Sequence, residues 1–105
     1  MVRGDVHAIR LPGRRGGVPH GRRFAVIVQA DDLLALPTIV VCPTSTATPP
    51  ASFHPEVAIA DGSTRVMCEM VGAVDARALG AQVGHLTLDE IRSIDDALEL
   101  VLDLR

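Results

Sequence analysis

Lysine, tryptophan and tyrosine are missing from this chain, and among its 105 residues only Phe24 and Phe53 carry a benzene ring. Two aromatic rings are too few for a base-stacking platform that binds single strands without sequence preference. Without lysine, every fixed cation is an arginine, a planar bidentate donor suited to phosphate. Genomic base composition explains that choice equally well, so it decides nothing alone. No apolar run approaches the roughly eighteen residues needed to span a bilayer. The first twenty residues are basic and lack an apolar signal segment. The expectation is a soluble cytoplasmic protein with no membrane partner.

Cysteine is scarce too. Cys42 and Cys68 share no CxxC spacing, and each sits in an apolar, strand-like run. Two thiols so placed read as buried packing residues rather than a disulfide or metal pair. His7, His20, His54 and His85 are too scattered to make a metal motif by spacing. A P-loop, a GxGxxG and a GxSxG are all absent. No metal or cofactor is expected.

What is there is a chain 48% apolar, enough for one real core and so for a single domain over residues 1–105. Its net charge of −3 conceals a division along the sequence. Residues 1–24 hold Arg3, Arg10, Arg14, Arg15, Arg22 and Arg23 against Asp5 alone, while residues 87–105 are rich in aspartate and glutamate. Segregation of this kind suggests a local anion-binding surface on an acidic protein.

The stretch GRRFAVIVQA (21–30) organises the rest. Arg22 and Arg23 stand at the mouth of a short β-branched run that reads as a buried strand over residues 23–30. Residues 12–21, rich in glycine and proline and carrying Arg14 and Arg15, read as an exposed basic loop. Residues 2–11 and 38–42 give two further strands, and residues 31–37 leave room for one helical turn. Residues 53–60 and 64–74 are expected as strands joined by the turn residues Asp61, Gly62 and Ser63. Residues 80–84 read as a break. Thr87 and Glu90 form a capping box, Leu86 is placed to staple onto Ile91, and Leu88, Ile91, Ile94, Leu98, Val101 and Leu102 follow helical spacing. The acids of that helix read as a solvated face. Five strands and a terminal helix predict a mainly β (α+β) domain, a small, strongly curved antiparallel barrel.

Period-two alternation along residues 64–69 sends Arg65, Met67 and Glu69 to one face and Val66, Cys68 and Met70 to the other. Arg65 and Glu69 then suggest an ion pair, or a general base beside an arginine. Thr44, Ser45 and Thr46 at a strand end suit either turn capping or catalysis.

In order and spacing, GDV (4–6), the glycine-rich loop, GRRFAVIVQ (21–29), VVCPTST (40–46), CEMVGAVD (68–75), ALG (78–80) and GHLTLDEIRSIDDALELVL (84–102) resemble the MazF/PemK/Kid toxin family over nearly the whole chain. The resemblance implies an SH3-like barrel of the Kid/CcdB type and a homodimer. It also implies a metal-free endoribonuclease that cleaves single-stranded RNA and is inhibited by a cognate antitoxin. By position it implies Arg23, Ser45 and Glu69 as catalytic residues. Arg14, Arg15, His20, Arg22, Thr44, Thr46 and Arg65 would bind RNA. Phe24, His7, Met67 and Gly72 depart from the family's proline, tryptophan and two arginines, and the family's loop histidine falls near Gly17, with His20 in the same loop. Either Glu69 or His20 suits the general base. Two rival readings are a gyrase poison resembling CcdB, disfavoured by the missing tryptophan, and an inactive RNA- or protein-binding barrel.

Overall fold

β-Branched residues set the strands and one amphipathic run sets the helix. The computed structural model describes residues 1–10, 23–60 and 62–104. In chain order it has β1 (Asp5–Ile9), β2 (Phe24–Ile27), β3 (Thr38–Ser45), β4 (Glu56–Ile59), β5 (Gly62–Val66), β6 (Gly72–Asp75), β7 (Leu79–His85) and α1 (Leu88–Leu102). Short 3-10 turns occupy Asp31–Leu33, Cys68–Met70 and Ala76–Ala78. Every strand pairing is antiparallel, in the order β4-β5-β3-β2-β1-β7, with β6 also on β3. The result is a mainly β fold, a curled half-barrel with one C-terminal helix.

Two expectations about strands need correcting. Residues 64–74 are not one strand: β5 ends at Val66, the Cys68–Met70 turn follows, and β6 begins at Gly72. The cause lies in β3, which changes partner midway. Its first half pairs with β6 as far as Val41↔Gly72, and its end pairs with β5 from Thr44↔Val66. Pro43, which has no N–H to offer a ladder, sits at the changeover. Its carbonyl accepts the Met67 N–H at 2.8 Å. Residues 80–84, expected as a break, lie inside β7. A side chain on Gly80 would touch Ala8 of β1 at 3.4 Å, so the glycine permits close pairing rather than ending the strand. The β1–β7 ladder shifts register around His7, as at a bulge.

Alternation along the central strands divides the apolar residues between two faces. Val6, Val26, Cys42, Val66 and Cys68 pack with Ile94, Ala97 and Leu98 of α1. Ile9, Ala25, Ile27, Ile39 and Val41 form a second cluster. The two cysteines are buried and free, as packing residues should be.

The capping box of α1 is present, with the Thr87 hydroxyl accepting from the Glu90 N–H at 3.2 Å and the Glu90 carboxylate accepting from the Thr87 N–H at 2.8 Å. Leu88 and Leu102, counted on the buried stripe, are exposed at the helix ends. The acidic face is not wholly solvated either. Asp95 accepts from the Arg3 guanidinium at 2.7 Å, and that guanidinium also donates to the Val28 carbonyl at 2.8 Å. Arg3 thus anchors the helix instead of joining an anion surface. Among the described residues, no helix is long and apolar enough to cross a membrane.

Candidate functional site

The strand registers assemble the site. Ala25 of β2 faces Pro43 of β3, and the Thr44 hydroxyl donates to the Phe24 carbonyl at 3.3 Å. Arg23 immediately precedes β2, and continuing this antiparallel alignment two residues beyond Ala25 and Pro43 directs it toward Ser45. Ser45 in turn is paired with Arg65, and Arg65 with Glu56. Directly paired residues share a face. Ser45, Arg65 and Glu56 therefore make a polar row across β3, β5 and β4, with Arg23 at the head of the neighbouring β2. Arg23 is held at the head of β2 because its carbonyl accepts the Ile9 N–H at 2.9 Å. Its guanidinium, half-buried, makes no hydrogen bond or ion pair among the described residues.

Ser45 accepts the Ala47 N–H at 3.1 Å, a local turn that leaves its hydroxyl proton free to donate. Thr46 is exposed. Thr44 is buried, and its hydroxyl is committed to Phe24, so it supports the β2–β3 seam rather than facing solvent. Arg14, Arg15, His20 and Arg22 lie outside the described residues.

Glu69 is not on a strand beside Arg65. It lies on the Cys68–Met70 turn, which the partner change of β3 places between β5 and β6. The ion pair expected between the two is replaced by two others. Arg65 meets Glu56 at 3.2 Å, and Glu69 meets His54. His54 Nε2 stands 2.9 Å from both Glu69 carboxylate oxygens, and Nδ1 stands 2.8 Å from the Pro49 carbonyl. Since neither partner donates, only the doubly protonated ring, with an N–H on each nitrogen, satisfies both partners at once. The Glu69 carboxylate raises the His54 pKa, burial opposes it, and the Pro49 carbonyl adds to the rise.

Sequence reasoning missed His54. Its partner stands fifteen residues away, and neither spacing nor motif links the two. Only the pairing of β4 with β5 brings residue 54 next to the turn.

Cys42 and Cys68 also meet here. Their mutual hydrogen bond, followed by burial, pushes the Cys42 thiol far above its ordinary range. A thiol so held is inert as a nucleophile. At the same end of β1 as Arg23, a cleft of about 230 Å³ is lined by Ile9, Arg10, Arg77 and Leu79 among others. Arg77 is bidentate to Asp75 there, at 2.9 and 3.1 Å. Among the described residues no group of three or more histidine, cysteine or acidic side chains could hold a metal ion.

Comparison with known proteins places the fold. The candidate toxin Rv3098A of Mycobacterium tuberculosis strain H37Rv is 27% identical over 106 residues, covering 99% of each chain. A mycobacterial endoribonuclease in complex with its cognate antitoxin superposes with a TM-score of 0.81 at 19% identity, covering 100% of this chain and 97% of that one. The M. tuberculosis toxin MazF-mt6 gives 0.79 at 18%, covering 96% and 98%. MazF of Deinococcus radiodurans gives 0.79 at 17%, covering 98% and 96%. Residues 2–102 match the family model described as the PemK-like, MazF-like toxin of type II toxin–antitoxin systems. The protein therefore belongs to the PemK/MazF family of toxins of type II toxin–antitoxin systems.

Proposed function

We propose that this toxin is an endoribonuclease that cleaves single-stranded RNA with protein groups alone. The observation that carries the reading is the pairing of Ser45 with Arg65 across β3 and β5, with Arg23 at the head of β2 and the Glu69 carboxylate on the adjoining turn. Cleavage requires that a 2′-OH lose its proton, that the new O2′–P bond form as the P–O5′ bond breaks, and that the departing 5′ oxygen gain a proton. Glu69 takes the first proton. The Arg23 guanidinium, without a partner among the described residues and carried on a backbone held at a strand head, stabilises the charge that develops on phosphorus-bound oxygen. Ser45 donates a hydrogen bond to the scissile phosphate. His20 is the candidate acid for the leaving group. Arg14, Arg15, Arg22, Thr46 and Arg65 extend the contact to flanking phosphates, while Thr44 holds the seam beneath them.

The same basic surface would attract an acidic, disordered antitoxin segment, so antitoxin and RNA compete and raised salt weakens both. Exposed Leu33 and Leu36, at 52% and 49%, favour a homodimer. The single domain acts in the cytoplasm, where its RNA lies.

The test is to incubate the purified protein with a long RNA in EDTA and map the new ends. The expected products carry 2′,3′-cyclic phosphate and 5′-hydroxyl ends. A protein that binds RNA and never cuts it would overturn the proposal.

A further inference from the structure

The RNA-cleavage chemistry proposed above makes no use of His54, although that ring is buried and in contact with Glu69. We propose that His54 is a positioning residue, a buried imidazolium clamped between the Pro49 carbonyl and the Glu69 carboxylate that sets the orientation of that carboxylate for proton abstraction. This rests on the RNA-cleavage reading above.

Among the described residues, little else holds Glu69. It sits in a three-residue 3-10 turn, and its side chain is 40% exposed. A glutamate so placed has three side-chain torsions free to sample several rotamers. His54 removes that freedom, because Nε2 lies 2.9 Å from both carboxylate oxygens. The ring itself cannot drift. It is only 6% exposed, Nδ1 donates to the Pro49 carbonyl at 2.8 Å, and the Phe53 ring packs edge-on with centroids 4.4 Å apart. The Cys68 N–H donates to the Phe53 carbonyl at 3.3 Å, which ties the residue before His54 to the residue before Glu69. Thus one ring locks the loop before β4 onto the turn before β6.

Among the described residues, few charged groups surround the ring. Glu69 faces it from the turn. Arg65 of β5 reaches the His54 carbonyl with Nη1 at 3.5 Å, and Glu56 of β4 pairs with Arg65 at 3.2 Å. Attraction to Glu69 outweighs repulsion by Arg65, since the net effect raises the His54 pKa. When the ring does lose a proton, it keeps a single N–H. It can then hold Pro49 or Glu69, and not both.

A base that must meet its proton within about 3 Å works poorly when released. Displacement by about 1 Å costs on the order of 100-fold in rate.

The experiment measures single-turnover cleavage of an RNA oligonucleotide against pH for the wild type, His54→Gln, His54→Ala and Glu69→Gln. Imidazole nitrogen NMR of the folded wild type and Glu69→Gln accompanies it. We expect His54→Ala to lower kcat by roughly ten- to 100-fold with KM within about twofold. His54→Gln, whose amide can still donate to Glu69, should recover part of the rate. In the wild type the rate should fall as pH rises through the His54 pKa, and that limb should vanish in both variants. The NMR spectrum should show both ring N–H groups at neutral pH, and Glu69→Gln should lower the pH at which one is lost.

Wild-type kcat and pH profile in His54→Gln, with Glu69→Gln inactive, would overturn the role of His54 and leave the cleavage reading standing. Full activity in Glu69→Gln would overturn both. If His54→Ala does not fold, the glutamine variant and the NMR signature decide, and a neutral His54 ring at pH 7 sinks the proposal.

Discussion

Ser45 and Arg65 are direct partners across β3 and β5, so a hydroxyl and a guanidinium share one face at the strand end that leads to Arg23. The same register gives Arg65 a carboxylate partner in Glu56 and leaves Arg23 without one among the described residues. Under the proposed reading, that asymmetry gives the two arginines different roles. A guanidinium already neutralised holds RNA weakly, whereas an unpaired one is available to a developing negative charge.

Arg23→Ala is therefore expected to lower kcat on the order of 100-fold or more, by analogy with the loss of an oxyanion donor. RNA affinity should change by no more than about tenfold, roughly 1.4 kcal/mol. Arg65→Ala should act mainly through KM. Single-turnover kinetics under saturating RNA distinguish the two, and an Arg23→Ala enzyme cutting at the wild-type rate would refute the assignment.

Stability should depend on pH through His54. Its folded pKa lies above the ordinary 6.5, chiefly because of Glu69. A raised pKa means that the native state binds the proton more tightly than the unfolded chain does. The contribution is thus fully present below about pH 6.5 and is lost as pH rises through the folded pKa. Urea midpoints of the wild type minus those of His54→Gln should shrink across that window. A constant difference would contradict the pairing.

Glu90 links the helix to the sheet. One carboxylate oxygen accepts from the Thr87 N–H at 2.8 Å, closing the capping box, and the other accepts from the Ala58 N–H of β4 at 2.9 Å. Burial pushes its carboxyl pKa up, but those backbone donors outweigh burial and the net pKa is lowered. Glu90→Ala should cost about 1–2 kcal/mol in urea unfolding. Acid should erase the difference as pH falls through the lowered folded pKa, because the wild type then loses the same charge.

Gly4 has φ of +95°, and a Cβ there would lie 2.6 Å from Ile91 Cδ1. Gly4→Ala should cost about 2 kcal/mol or more, from left-handed strain together with overpacking against α1. Gly84→Ala offers the contrast, since nothing lies within 4 Å of its added methyl. It should be neutral or slightly stabilising by thermal melting.

Residues local in the sequence declared the elements they belong to. The β-branched run before Gln29 made β2 legible, and Thr87 with Glu90 marked the start of α1, because strand pairing propensity and helix capping act over a few positions. The order of motifs likewise carried the family. What the sequence alone could not decide was the partner change of β3. That event depends on which strand arrives at Val41 and which at Thr44, residues only three apart whose partners come from different strands. Period-two reading carried one strand straight through residues 64–74 and so set Glu69 against Arg65. The tertiary structure breaks that strand at the changeover, turns Glu69 toward His54, and leaves Arg65 to Glu56. Alternation is a property of a strand that continues, and whether a strand continues is settled by the neighbour that receives its hydrogen bonds.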